Sequence, residues 1–345
     1  MSTMSRFIAV AVVLAAPTLT APIGAQAPGY RIVATYPLGG TGSWDYLAFD
    51  GRGGRVFIAR QTRQMVVDAK TGKLLGEVTG INGAHGVAFD YASGHGFATS
   101  GADSSVVIFD LKTLQVLGRV HAAEDADGIL FDPASKRVFT MNGDAHSSSV
   151  IDPATGKNIG TVALGGKPEF GASAGNGMVY ANLTDNAEVV EFDARTMKVT
   201  RRWPVAPCAS STGMSIDVAH HRLFSVCRNK YLAISDYAAG KLVTTVPIGS
   251  GVDASVFDPA TQLIFASNND GTMTVVHEDS PDKYTVVETV TTGGGAKTMT
   301  LDPATHRVFL GAATFGAIDT ATAAGRRGRA PMVAGTFKLL VLDRK

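Results

Sequence analysis

Short apolar segments, each closed by a polar turn, recur along this chain at a nearly constant interval. Three of them read Trp44-Asp45-Tyr46-Leu47-Ala48-Phe49-Asp50, Ala84-His85-Gly86-Val87-Ala88-Phe89-Asp90 and Ala126-Asp127-Gly128-Ile129-Leu130-Phe131-Asp132. Four more run from Pro168 to Ala174, Ser211 to Asp217, Val252 to Asp258 and Ala296 to Asp302. Their second residues fall at 45, 85, 127, 169, 212, 253 and 297, giving steps of 40, 42, 42, 43, 41 and 44 residues.

Between these segments the pattern repeats as well. A second run follows the turn (Val56 to Ala59, Val138 to Met141, Leu223 to Val226), then a third ending in Asp (Val66 to Asp68, Val106 to Asp110, Val189 to Asp193). A hairpin such as Lys70-Thr71-Gly72-Lys73 leads into a fourth, Leu74 to Val78. Alternating apolar and polar positions, β-branched and aromatic residues, and Gly or Asp-Pro punctuation predict strands, and no amphipathic helix of useful length is present. Four strands, here called A to D, on a period of forty-odd residues predict a β-propeller. The expected fold is therefore all-β, a single seven-bladed propeller over residues 28 to 345. The seventh repeat has A, B (Val308 to Leu310) and C (Thr336 to Asp343) but no D, and the run Tyr30 to Tyr36 is predicted to supply it. Such pairing closes the ring and removes an open edge.

Length alone, 345 residues, would suggest two domains, but blades that bury their faces only on one another make one. The first 27 residues carry Arg6, then the apolar run Phe7 to Ala16, then small residues up to Ala25-Gln26-Ala27. That is the layout of a secretory signal peptide over 1–27, cleaved after Ala25 or Ala27, and it predicts a periplasmic or secreted protein. With Arg6 removed, the 31 Lys and Arg become 30 against 30 Asp and Glu. A neutral chain gives little support for nucleic acid as main partner. In an oxidising compartment Cys208 and Cys227, at the same end of one predicted A–B hairpin, are expected to form a disulfide.

The seven-fold repeat, the Asp-Pro turns (Asp132, Asp152, Asp258, Asp302) and the Thr-Gly-Lys hairpins resemble the YVTN-type propeller repeat. The whole mature chain is similar to the YncE-like exported propeller proteins. The resemblance implies the fold and an exported location. It implies little about activity, and one relative in that family is associated with DNA binding.

Most Asp residues close turns, where their carboxylates accept backbone N–H bonds: Asp50, Asp90, Asp132, Asp217, Asp258 and Asp302 after strand A, and Asp68, Asp110, Asp152, Asp193 and Asp236 after strand C. The second residues of strand A differ. Asp45, His85, Asp127, Glu169, Thr212, Asp253 and Lys297 should ring the mouth of the axial channel, where convergent polar groups define a ligand site. Crowded carboxylates should raise one another's pKa and attract a cation, so Asp127, Glu169 and His85 are candidate ligands of a divalent metal ion. Trp44 is a candidate stacking face. The B–C loops around the mouth offer Arg60, Gln64, Asn142, His146, Asn182, Asp185, Arg228, Asn229, Lys230, Asn268 and Asn269.

His277-Glu278-Asp279 is read as an exposed hairpin, since adjacent residues of an extended chain point opposite ways. The long seventh B–C connection, Ala312 to Gly335, holds Arg326, Arg327 and Arg329, the one dense basic cluster and the expected source of any weak, salt-sensitive DNA contact. No Gly-x-Ser-x-Gly, His-Glu-x-x-His, Walker or dinucleotide motif occurs. The expectation is a monomeric binding or interaction module without a membrane span, taking a small polar ligand or protein partner. The alternative is a metal-assisted hydrolase or lyase using the same ring, with His85 as general acid or base.

Overall fold

Seven four-stranded antiparallel sheets make up the computed structural model, which describes Met1, residues 27–317 and residues 330–344. The proposed signal segment therefore lies outside the described residues, apart from Met1 and Ala27. Blade 1 consists of Leu47–Asp50, Arg55–Arg60, Arg63–Asp68 and Leu74–Val78, and blades 2 to 6 repeat that order. Among the described residues the only helix is a three-residue 3-10 turn at Gly101–Asp103, and no helix is long and apolar enough to cross a membrane.

Blade 7 combines Ala296–Asp302, Arg307–Ala312 and Lys338–Asp343 with the N-terminal strand Arg31–Pro37, in the order expected. Arg31 lies opposite Asp343 and Pro37 opposite Lys338, with a bulge between Ile32 and Ala34. Tyr30 then packs edge-on against Phe265 of blade 6, 4.9 Å between ring centres.

The hydrophobic core is divided among the blade junctions rather than central. Seven buried clusters each span two neighbouring blades, for example Phe57, Val66, Val87, Ala98 and Phe109 between blades 1 and 2. Strand B contributes a buried aromatic at the equivalent place in every blade: Phe57, Phe97, Phe139, Tyr180, Phe224, Phe265 and Phe309. Disulfide Cys208–Cys227 has the expected partners, with Cα atoms 5.5 Å apart. The turn Asp residues act as read from the sequence. Asp68, for example, accepts the N–H groups of Lys70 and Thr71 and the Thr71 hydroxyl.

One local expectation needs correction. The sixth C–D hairpin is a regular extension of the strands Thr272–Ser280 and Lys283–Thr291, and Glu278 within it is buried against blade 5 rather than exposed. The seventh B–C connection has an ordered stem, in which Phe315 bridges to Met332 and Gly316 and Val333 donate to Pro331 O and Thr314 O. Its basic cluster, Arg326, Arg327 and Arg329, lies outside the described residues.

Candidate functional site

Strand A begins with a break in register in six of the seven blades: between Ala84 and Val87, Ala126 and Ile129, Pro168 and Gly171, Ser211 and Met214, Val252 and Ala254, and Lys297 and Met299. In blade 1 the paired strand itself starts only at Leu47. A bulge turns a side chain out of the regular alternation and is common beside functional sites. In blades 2 to 6 the displaced residues include the ring positions named above, whereas in blade 7 the break falls on Thr298 and Lys297 stays paired with Gly311.

The bulges of blades 2, 3, 5 and 6 are held by a polar side chain from the blade before, the last by Thr212 Oγ1 on Val252 O. Gln64 Nε2 lies 3.4 Å from Gly86 O, Thr99 Oγ1 donates to Asp127 O at 2.8 Å, and Asn182 Nδ2 donates to Thr212 O at 2.8 Å. Thr298 Oγ1 donates to Asp45 O at 2.8 Å, which carries the arrangement across the ring closure. Gln64 and Asn182 are thus buried supports, not loop residues facing a ligand.

Glycine after the ring residue lets consecutive strands touch. A Cβ on Gly128 would sit 2.6 Å from Glu169 O, and one on Gly213 would sit 2.7 Å from Ala254 Cα. Two blades place a large aromatic there instead. Tyr46 of blade 1 and Phe170 of blade 4 meet across the axis, ring centres 4.8 Å apart, and divide the channel. Below them is an apolar cavity of about 620 Å³ lined by residues such as Phe49, Phe89, Met214 and Phe257. Above them a polar cup of about 770 Å³ opens at the expected mouth.

Asp45, His85, Asp127, Glu169, Asp253, Lys297 and Arg228 all line this cup, with Asn269 at its edge. His85 Nδ1 is 2.6 Å from Asp45 Oδ2 and 3.3 Å from Asp127 Oδ1. Lys297 Nζ reaches Asp253 at 3.3 Å rather than Asp45, and Arg228 approaches Glu169 at 3.6 Å. Lys167 and Asp125, paired at 3.3 Å, complete the wall and were not singled out in the sequence. The one available signal was their place two residues before ring positions Glu169 and Asp127.

The remaining candidates are placed elsewhere. Trp44 is 3% exposed, packed on Phe337 and Phe315, and its indole donates to Lys297 O at 3.2 Å, so it offers no stacking face. Thr212 is buried, with its hydroxyl against Val226 O and Val252 O. Arg60 is buried over the Phe337 ring, donating to the carbonyls of Gly39, Thr41 and Gly42. Asn142 is buried among Thr140, Ser147 and Ser149, and Asn268 between Thr272 and Thr274. Asp185 and Asn229 tie their B–C loops to the loop entering strand A of the same blade, accepting Lys167 N–H and Ala209 N–H. Arg60, Thr212, Asp185 and Asn229 are polar because backbone needs partners where strands end.

Electrostatics in the cup are dominated by desolvation. Burial pulls the His85 pKa down, but the Asp45 hydrogen bond and the Asp127 and Asp45 charges outweigh it, pushing it up to about 9. Burial pushes Glu169 up to about 7, with Arg228 opposing and Asp253 and Asp45 assisting. Asp127 is raised well above the carboxylate range by burial and then by Asp45, against the pull of His85. Burial, and then the carboxylates above it, likewise raise the Tyr46 phenol. At neutral pH the cup therefore holds an imidazolium clasped by Asp45, reluctant acids at Asp127 and Glu169, and three further cations. It is a site of mixed charge, less purely acidic than the ring alone suggested. Asp45, His85 and Asp127 have ligand atoms close enough for one metal ion, provided His85 first gives up its proton.

No family model matches this chain, and no curated protein matches it. Solved structures that resemble it are propellers. U3-55K aligns with a TM-score of 0.74 at 10% identity over 91% of this chain and 99% of that one. The RRP9 WD40 repeats give 0.74 at 10% identity over 92% and 98%. A chain of Kuenenia stuttgartiensis hydrazine synthase gives 0.70 at 16% identity over 78% and 92%. At such identities the likeness carries the fold alone.

Proposed function

We propose that this chain is an exported propeller of the YncE-like kind, a binding or interaction module whose polar cup takes a small ligand bearing both a cationic and an anionic group. The observation that carries this reading is the alternation of charge around a closed-floored cup. Asp45, His85 and Asp127 form one arc, and the pairs Glu169–Arg228 and Asp253–Lys297 form the other. Apart from the short His85–Asp45 contact these pairs stand 3.3 to 3.6 Å apart, so a ligand with complementary charges gains contacts without leaving any charge uncompensated. The cup's volume of about 770 Å³ suits a small molecule, and Tyr46 and Phe170 stop it from passing through. The disulfide accords with the oxidising compartment that a signal peptide would lead to.

A melting-temperature screen tests this with amino acids, short polyamines, monosaccharides and divalent chloride salts as probes. Zwitterionic probes are expected to raise Tm, and the rise should vanish in Asp127→Asn/Glu169→Gln. A rise confined to divalent salts, with stoichiometric metal lost in that double variant, would replace this reading with the metal-assisted hydrolase or lyase.

A further inference from the structure

On the face opposite the cup, two buried carboxyl groups meet between blades 5 and 6. Asp217 ends strand A of blade 5 (Ser211–Asp217), in the turn that also carries His220, and Glu278 lies near the end of Thr272–Ser280 in blade 6. His220 Nδ1 is 2.6 Å from Asp217 Oδ2 and 3.5 Å from Glu278 Oε1. One ligand atom of each of the three lies within 4.8 Å of the others. The side chains of Asp217 and Glu278 are 2% and 0% exposed, whereas His220 is 38% exposed and gives access from solvent.

The local hydrogen bonds do not account for this cluster. Ala219 N–H donates to Asp217 Oδ1 at 2.9 Å, and the Tyr284 hydroxyl lies 3.2 Å from Glu278 Oε1. Glu278 Oε2 is buried without a hydrogen-bond partner. Arg222 on the adjoining strand is engaged by Asp236 and Asp282. Two desolvated carboxylates facing each other are costly unless a cation or a proton lies between them. At the junction of blades 6 and 7, His306 of the blade 7 turn lies 2.8 Å from Asp258 of blade 6, and no group of three potential ligands forms there among the described residues.

We propose that Asp217, His220 and Glu278 form a divalent-cation site of the Zn2+ type, which ties blade 5 to blade 6. One imidazole nitrogen with two carboxylate oxygens is a donor set Zn2+ accepts, leaving a fourth position for water. Ala219 and Tyr284 fix the two carboxylates from outside, as second-layer partners of metal ligands do.

The test titrates ZnCl2 into chelator-dialysed protein, following both stoichiometry and Tm, in four forms: wild type, Glu278→Gln, His220→Asn, and the cup variant Asp45→Asn/Asp127→Asn. One Zn2+ per chain and a rise in Tm are expected in wild type and in the cup variant. Affinity should fall by about tenfold or more in Glu278→Gln and His220→Asn. His220→Asn changes a partly exposed side chain, so it decides the matter if Glu278→Gln does not fold. Zn2+ binding equal in wild type and both site variants, or absent from wild type, overturns the proposal and leaves a shared proton between the carboxyls. A Zn2+ equivalent lost only in the cup variant overturns it too, and relocates the metal to the cup.

Discussion

Glu169 and His85 both hold protons more tightly in the folded protein, over different pH ranges, and the difference is measurable. An acid whose folded pKa is raised, as Glu169 is from 4.5 to about 7, binds more protons in the native than in the unfolded state. Its contribution to stability is fully present below 4.5 and declines as pH rises toward 7. Buried Glu278 behaves alike, and for it the loss between those limits is about 3 kcal/mol. His85 is a cation whose pKa is raised from 6.5 to about 9, so its contribution is complete below 6.5 and is lost as pH passes through about 9. Tm measured against pH should therefore fall in two stages, one on each side of neutrality. Glu278→Gln should shrink the acidic stage to the part that Glu169 supplies and leave the alkaline one in place, whereas His85→Asn should remove the alkaline stage. An unchanged acidic stage in Glu278→Gln would show that this carboxyl is not desolvated as described.

Strand A shows what one inserted residue does. Its bulge aims His85, Asp127 and Glu169 into the cup, and Gly128 is small because Glu169 O lies 2.6 Å from where a Cβ would be. Gly128→Ala should cost about 2 kcal/mol through overpacking, read from urea unfolding, and should weaken ligand binding by displacing Glu169. The Cys208–Cys227 link closes a stretch with sequence separation 19, so a double serine variant should lose about 3 kcal/mol in the same assay. How much could be read beforehand differs between these features. Strand identity and the cysteine pairing were legible, because alternation and hairpin geometry are local. The bulges were not, since the apolar alternation resumes after the slip, though glycine at 86, 128 and 213 marked the places where backbones approach. Gln64 and Asn182 looked like site residues because a polar side chain at a strand end reads the same whether it faces solvent or a neighbour's carbonyl. Asp217 and Glu278 were set aside as turn and exposed hairpin because nothing local brings one blade's turn against the next blade's strand.

For the whole molecule, seven junction cores mean that no blade is complete without both neighbours. Removing residues 27–37 would uncover Leu340 and Leu342, and the truncated chain should fail to give soluble monomer by size-exclusion chromatography. A soluble, cooperatively melting truncation would contradict this account of closure. Repeat spacing gave access to the fold at this scale, but not to the meeting of Tyr46 with Phe170. Periodicity makes ring positions equivalent, and which two side chains span the diameter depends on their individual lengths.

Because Arg31 faces Asp343, the two ends of the folded chain leave blade 7 at one edge and run in opposite directions along the same pair of strands. A pull that separates those ends loads the inter-strand hydrogen bonds one after another, as in opening a zip, rather than all together in shear. The circle that is closed against thermal opening is thus mechanically weakest at its own clasp. A machine that grips either terminus would start by peeling away blade 7, with the six remaining blades still folded when it begins.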